Sequence, residues 1–328
     1  MKRSVRRRHG REVASPRYRR PVAATTGAGV RTRTFPVPHG PLDLVATVAP
    51  LRQGVDDPTL RVRAGEVWRA LRTATGPATV HLRLDGGDLV AEAEGPGAQA
   101  ALDLAPALAG LSDDPRQLRP LHPAVAVARS LAPGLRLTSG TSVFDAVVWV
   151  VLSQKVVGLD ARRSYRDLVR RFGAPAPGGQ RLLLPPSPAA LASAPYWTFH
   201  ECNVERRRAT VVRECAQRAA ALDRLSLLTP ADARARLATL PGLGPWSAAE
   251  VTSVSHGDAD AVPLGDYHIP NVVSWALAGE PRGDDARMLD LLEPYAGQRG
   301  RVIRLLMSGG RGAPRYGPRL SRQDIRGR

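Results

Sequence analysis

Residues 240–246 read Leu-Pro-Gly-Leu-Gly-Pro-Trp, and residues 262–268 read Val-Pro-Leu-Gly-Asp-Tyr-His. The two glycines of the first segment flank Leu243 between two helical patterns, which predicts a tight turn joining two helices. Pro245 suits the first position of the second helix because that position needs no amide hydrogen. The free N–H groups at the start of such a helix can bind a phosphate, although ordinary helix connectors share the same pattern.

The second segment places Asp266 directly before another helical pattern. Gly265 allows the backbone to approach a neighbour closely at this point. Asp266 is therefore either a helix N-cap, worth about 1 kcal/mol, or a carboxylate that stabilises positive charge at a reaction centre. The residues alone leave both interpretations open. Asp258 and Asp260, in the preceding loop, are expected to be solvated.

The sequence of residues 31–115 predicts a small α+β domain. Apolar residues alternate at 42–48 and at 78–84, which predicts strands. An Asp-Gly-Gly turn leads from the second of these to another strand at 89–94, completing a hairpin. Residues 98–111 then follow the period of an amphipathic helix.

From residue 116 to residue 310 the pattern is helical, with short Gly and Pro breaks. Ser142, Asp160 and Ser187 are predicted helix N-caps. Residues 204–222 are predicted to form one long helix with Arg206, Arg207 and Arg208 on its exposed side. The predicted fold class is an α+β N-terminal domain, with an antiparallel sheet plus a helix, followed by an all-α domain.

Most of the net charge of +17 lies in two terminal segments. Residues 1–20 carry nine Lys and Arg against one Glu, and residues 311–328 carry six Arg against one Asp. Residues 1–30 are predicted to be a disordered basic arm, and residues 311–328 a basic tail. Both are either solvated surface or additional, salt-sensitive contacts to phosphate.

The rest of the composition restricts the class of protein. No apolar run approaches the roughly 18 residues of a membrane span, and no apolar stretch follows the basic N-terminus as in a secretory signal. Cys202 and Cys215 are the only cysteines, too few for a four-cysteine zinc site or an iron–sulfur cluster. We expect a cytoplasmic, nucleoid-associated monomer without a membrane partner.

Residues 240–244, followed by Val262, Pro263, Asp266 and His268, resemble the signature of the helix–hairpin–helix DNA glycosylase superfamily. The resemblance extends to residues 152–154, Leu-Ser-Gln, and to residues 293–301, where Glu-Pro-Tyr precedes Arg299-Gly300-Arg301. The sheet-bearing first domain and residues 134–137, Gly-Leu-Arg-Leu, are similar to the inducible bacterial 3-methyladenine DNA glycosylase II subgroup.

The resemblance implies a monofunctional enzyme that excises alkylated purines of the 3-methyladenine and 7-methylguanine type from double-stranded DNA. Asp266 would assist hydrolysis of the N-glycosidic bond after base flipping, in base-excision repair. Family members that also cut the strand carry a lysine at the position of Trp246. Because Lys2 and Lys155 are the only lysines, no lyase activity is expected. The alternatives are a glycosylase for another damaged or mismatched base, and a non-catalytic DNA-binding protein.

The resemblance also implies roles for further residues. Trp246 and Tyr295 would line the base pocket, although Glu250 stands where close relatives carry an aromatic residue. Gln154 and Lys155 would fill the gap left by the flipped base. Contacts with DNA would come from the hairpin and the next helix, through Gly242, Leu243, Gly244 and His268. Arg299 and Arg301 would contact phosphate or pair with Glu293.

A monovalent cation, Na⁺ or K⁺, is the only inorganic group that the resemblance implies. It would bind main-chain carbonyl oxygens at the hairpin, those of Ala238, Leu240 and Leu243. No other cofactor is expected.

Overall fold

The computed structural model describes residues 29–309, 312–314, 321–322 and 324–327. The predicted arm lies outside these residues except for positions 29 and 30, and so does half of the predicted basic tail. Within the described residues no helix combines the length and the apolar character needed to cross a membrane.

The first part of the chain is a five-stranded antiparallel sheet of β1 (Arg31–Phe35), β2 (Leu60–Arg63), β3 (Glu66–Thr73), β4 (Gly76–Asp85) and β5 (Asp88–Glu94). The strands lie side by side in the order β1-β5-β4-β3-β2. The hairpin predicted around the Asp-Gly-Gly turn is confirmed: Asp85 pairs with Asp88, and Gly86 and Gly87 both have positive φ angles. Such angles suit a two-residue turn between strands.

The strand predicted at residues 42–48 is wrong, because α1 (Leu44–Val48) is a short helix. The side chain of Asp43 accepts a hydrogen bond from the amide of Ala46 at 2.8 Å and so caps this helix. Leu44, Thr47 and Val48 are buried at helical spacing. In so short a segment this spacing and strand alternation are hard to distinguish, and the Asp cap decides for the helix. The helix predicted at 98–111 is α2 (Ala98–Leu108), which packs on β4 and β5.

The second part of the chain is helical. Its helices are α3 (Pro123–Leu131), α4 (Val143–Ser153), α5 (Gly158–Phe172), α6 (Pro188–Ser193), α7 (Tyr196–Glu201), α8 (Arg206–Gln217), α9 (Ala219–Asp223), α10 (Pro230–Ala238), α11 (Pro245–Ser255), α12 (Ile269–Ala278), α13 (Asp285–Leu292) and α14 (Arg299–Ser308). Together with the sheet, they confirm the predicted fold class.

Three local predictions for the helical part need correction. Ser142 and Ser187 are N-caps as predicted, but Asp160 lies buried within the first turn of α5, which begins at Gly158. The long helix predicted at 204–222 is broken at Arg218 into α8 and α9. Arg208 points inward, and its Nη1 donates a hydrogen bond to the carbonyl of Leu152 at 2.8 Å. This bond ties α8 to the last turn of α4.

Two hydrophobic cores fill the helical part. The larger includes residues of α4, α5, α8 and α11, and the smaller combines α3, α12, α13 and α14. Arg301 of α14 pairs with Asp113 of the first domain, and Nη2 of Arg304 donates to the carbonyl of Ala46 at 2.8 Å. The start of α12, where Asp266 lies, therefore belongs to a unit that is anchored to the sheet domain.

Candidate active site

The hairpin predicted at residues 240–246 joins α10 to α11, and its glycines play different parts. Gly242 has φ +82°, and a Cβ there would lie 2.4 Å from Cγ2 of Val211, so both conformation and space require glycine. The amide of Leu243 donates to the carbonyl of Leu240 at 3.0 Å and closes the turn, while the Leu243 side chain is buried. Gly244 is exposed and caps α11, and a Cβ there would meet open space. Pro245 occupies the first helical position, as predicted.

Gln154, at the end of α4, holds the hairpin. Its Nε2 donates to the carbonyl of Gly242 at 2.8 Å and to Oγ of Ser247 at 2.9 Å. Lys155 follows as an exposed residue with φ +53°. The structure thus gives the Gln154 amide a structural role at the hairpin, and leaves Lys155 free to project from the same edge of the domain.

The carboxylate of Asp266 is fixed by three hydrogen bonds. Oδ1 accepts from the amides of His268 at 2.7 Å and Ile269 at 2.8 Å, at the start of α12. Oδ2 accepts from Nε1 of Trp246 at 3.0 Å. One oxygen therefore acts as a helix cap, while the other faces the indole of α11, so the two interpretations open at the sequence level do not exclude each other. The amide of Gly265 donates to Oδ2 of Asp285 at 2.8 Å and fixes the preceding turn.

A second acidic side chain, Glu250, lies on α11 one helical turn after Trp246. Burial and, secondarily, the negative charge of Asp266 raise the pKa of the Glu250 carboxyl to about 7, while the positive charge of Arg304 opposes both. Burial also lowers the pKa of Arg304, which the charge of Glu250 raises in turn. Two carboxyl groups and one guanidinium thus interact beside the hairpin. Because residues four apart share a helix face, the spacing of Trp246 and Glu250 could have revealed this cluster, but its partners on other elements could not be read from the sequence.

The other predicted site residues are less closely gathered. Tyr295 is 5% exposed in the core of α3 and α12–α14, and its hydroxyl accepts from the amide of His122 at 2.8 Å. Among the described residues no hydrogen bond or ring contact joins it to Asp266 or Trp246. His268 is exposed, and its ring meets that of Tyr267 edge-on, with centroids 4.9 Å apart. Placement of Tyr295 in the base pocket and of His268 on DNA stays a prediction.

Asp258 and Asp260, in the loop before Asp266, are paired with arginines and not solvated as predicted. Asp258 is 5% exposed, pairs with Arg234, and accepts from Oγ1 of Thr252 at 2.9 Å. Asp260 pairs with Arg299 and accepts from the amide of Gly297 at 2.9 Å. Arg299 and Arg301 therefore have carboxylate partners other than Glu293, the partner suggested by the sequence, because loop 256–268 brings Asp260 to α14 and the first domain brings Asp113.

Metal-binding clusters and reactive thiols were also sought among the described residues. Within the part of the chain that the structure describes, no group of three or more His, Cys, Asp or Glu could hold a metal ion. Cys202 and Cys215 are buried, and burial raises the pKa of their thiols to about 12 and about 11. Such thiols are poor nucleophiles at neutral pH.

Solved structures with the same fold were found, whereas no protein-family model and no curated protein sequence matches the chain. A 3-methyladenine DNA glycosylase from Archaeoglobus fulgidus superposes with a TM-score of 0.68 at 18% identity, over 84% of this chain and 97% of that one. MBOgg1 in complex with a low-affinity DNA ligand gives 0.68 at 18% identity, over 86% and 98%.

An 8-oxoguanine glycosylase/lyase from Clostridium acetobutylicum, bound to double-stranded DNA, gives a TM-score of 0.65 at 15% identity, over 82% of this chain and 92% of that one. Nearly the whole length of each neighbour is matched, so the sheet domain and the helical domain are shared together. At these identities the likeness establishes the fold.

Proposed function

We propose that this chain, which has the fold of the helix–hairpin–helix DNA glycosylases, is a monofunctional DNA glycosylase. It would excise alkylated purines of the 3-methyladenine and 7-methylguanine type in base-excision repair. One observation carries the proposal: the Asp266 carboxylate, oriented by two backbone amides, meets the indole of Trp246 directly beside the hairpin. A carboxylate used only as a cap would not need the third bond.

Breaking an N-glycosidic bond leaves positive charge on the sugar, and a fixed carboxylate nearby stabilises that charge. Asp266 can also accept a proton from the water that attacks the sugar. Its geometry is fixed before substrate binds, so little reorganisation is required during the reaction. Trp246 forms one wall for the flipped base and repays part of the cost of unstacking it. An alkylated purine is cationic, and its charge is attracted to the indole ring.

In this proposal the hairpin binds the phosphate backbone of the DNA. Gly242 and Gly244 are exposed, and the amides of the first turn of α11, which have no side-chain cap at Gly244, can bind a phosphate. Leu243 anchors the turn from inside. A monovalent cation on the carbonyl oxygens of Ala238, Leu240 and Leu243 would reinforce this grip. The carbonyl of Leu240 already accepts one hydrogen bond and retains a second lone pair for it.

The absence of strand cleavage is part of the proposal. The indole of Trp246 occupies the place beside Asp266 where a lyase needs an amine, and Lys155 lies after the C-cap of α4. Incubation with abasic DNA and borohydride is expected to trap no covalent adduct. A trapped adduct would show that an amine of the chain reaches the sugar and would overturn the monofunctional assignment.

The test of function is a panel of duplex oligonucleotides, each with one damaged base, incubated with the full chain. Release of 7-methylguanine and 3-methyladenine is expected, and Asp266→Asn should slow it roughly 10²-fold or more. Asp88→Asn, at the exposed hairpin turn between β4 and β5, is the matched control and should leave the rate unchanged.

Two alternatives predict different results on the same panel. The fold is shared with 8-oxoguanine glycosylases, so release of 8-oxoguanine without release of alkylpurines would assign the chain to oxidised bases. Binding of every duplex without release of any base would identify a non-catalytic DNA-binding protein.

A further inference from the structure

The last described residues of the basic tail pack against α5. Nε of Arg322 donates a hydrogen bond to Oδ1 of Asp160 at 3.2 Å, in the first turn of that helix. One turn further along, Nη1 of Arg163 lies 3.5 Å from Oδ2 of Asp324. Because residues three apart lie on the same face of a helix, the tail follows one side of α5 from its first turn.

Asn203, in the turn before α8, binds the next part of the tail. Its Oδ1 accepts a hydrogen bond from the amide of Ile325 at 2.9 Å. Asn203 and Asp160 are both buried, each with 5% of its surface exposed. The tail is therefore attached to two buried side chains, at one of them through the Arg322 side chain and at the other through its own backbone.

Arg208 of α8 connects these attachment points to α4. Its Nη1 donates to the carbonyl of Leu152, and its Nε lies 3.5 Å from Oε1 of Glu205. Burial lowers the pKa of the Arg208 guanidinium, and the charges of Glu205 and Asp160 oppose that shift. Asp160 therefore interacts both with the tail, through Arg322, and with the start of α8.

The ends of α4 and α8 lead from these residues to the hairpin. Gln154, two residues after Leu152, donates to the carbonyl of Gly242. Val211, one turn after Arg208 on α8, is the side chain that a Cβ at Gly242 would meet. Contacts thus run without a break from the hairpin, through α4 and α8, to the tail.

Exposed basic side chains lie close in the chain to the attachment points. Lys155 lies three residues before the start of α5, and Arg206 and Arg207 are in the first turn of α8. The side chain of Arg322 is itself 62% exposed. A guanidinium has five N–H donors, so the bond from Arg322 to Asp160 leaves donors for a phosphate.

We propose that Arg322 binds the phosphate backbone of duplex DNA beside the hairpin, so that the basic tail is a fixed part of the DNA-binding surface. The inference rests on the DNA binding of the proposed function and does not depend on base release. Charge complementarity identifies the partner, because residues 311–328 carry six Arg against one Asp and DNA carries a negative charge at every phosphate.

Arg322 and Arg326 differ in how far they are available to a phosphate. Arg326 donates from both Nε and Nη2 to Asp324, two residues before it in the tail, and its side chain is 30% exposed. Arg322 donates from Nε to Asp160 and is about twice as exposed. A docked tail should therefore contact DNA through Arg322 and not through Arg326.

The experiment measures binding of an undamaged DNA duplex by fluorescence anisotropy at several salt concentrations, with the full chain and with Arg322→Gln. Glutamine can still donate to Asp160 but carries no charge. Loss of one phosphate contact is expected to make the plot of log affinity against log salt concentration shallower by about 0.9. Arg322→Lys should keep the wild-type slope, because lysine also neutralises a phosphate.

Arg326→Gln is the matched control, since it removes the same charge from the same segment at a residue engaged by Asp324. Its slope should equal that of the wild type. Equal shallowing in Arg322→Gln and Arg326→Gln would mean that the tail acts only through its net charge, and would overturn the inference. An unchanged slope or tighter binding in Arg322→Gln would overturn it as well.

Two further measurements separate this inference from other effects. Urea unfolding of Arg322→Gln at wild-type stability shows that the variant folds, and Arg322→Lys provides the comparison with the charge retained. Slopes as expected, without release of any base by the wild type, would contradict the glycosylase proposal alone. A wild-type chain that binds no duplex would overturn both proposals.

Discussion

Asp258 and Asp266 lie in the same connection between α11 and α12, yet their surroundings are opposite. Asp258 is buried, and its charge is neutralised by Arg234. Asp266 is partly exposed, and its hydrogen bonds come from two amides and an indole, none of which carries a positive charge. A carboxylate neutralised by arginine contributes to the fold, whereas one held by neutral donors keeps its full charge for a substrate. The comparison indicates which acid of this loop keeps its charge available to a ligand.

The largest expected effects come from the same substitution at the two positions. Asp266→Asn should slow base release roughly 10²-fold or more and change stability little, because asparagine also caps a helix. Asp258→Asn should instead lower stability by about 3 kcal/mol, because it leaves a partly buried guanidinium without its carboxylate. Its rate of base release per folded molecule should change little. Single-turnover rates and urea unfolding of both variants test the contrast. Similar losses of rate per folded molecule in the two variants would contradict it.

A smaller effect is expected when the neutral donor of Asp266 is removed. Trp246→Phe keeps an aromatic wall for the base but eliminates the bond from Nε1 to Oδ2. A hydrogen bond to a charged group is worth about 1.5–3 kcal/mol, so 7-methylguanine release should slow roughly 10-fold or more. DNA affinity, measured by fluorescence anisotropy, should stay unchanged. Wild-type release by this variant would mean that the indole does not orient Asp266.

The smallest effects compare the two hairpin glycines. In Gly242→Ala the new Cβ would clash with the side chain of Val211, and alanine is strained at the positive φ angle of this position. The variant should be destabilised by about 1–3 kcal/mol and should bind DNA more weakly. Gly244→Ala meets open space at φ −91° and should be nearly neutral in stability. Urea unfolding and duplex binding at fixed salt measure both. Equal destabilisation by the two variants would show that the hairpin backbone differs from that described.

Local signals explain what the sequence could predict. The hairpin, the caps at Ser142 and Ser187 and the Asp-Gly-Gly turn each depend on a few adjacent residues with distinct conformational preferences. The position of Asp266 at the start of a helix follows from the same kind of signal, and its catalytic role stays a prediction.

Long-range pairing explains what the sequence could not. The partners of Asp258, Asp260 and Arg301 come from other helices or from the first domain, and no local pattern encodes them. The inward turn of Arg208 likewise depends on the carbonyl of Leu152, which the tertiary fold brings to it.

The pair of Arg301 and Asp113 has a consequence for how the chain can be divided. Asp113 precedes the boundary at residue 115, but its partner Arg301 is only 3% exposed within α14. A chain cut at that boundary would leave a guanidinium in the helical core with no counter-charge. We therefore expect the sheet domain and the helical part to unfold in a single cooperative transition. A fragment with only the helical part is expected to be less stable than the same residues in the full chain.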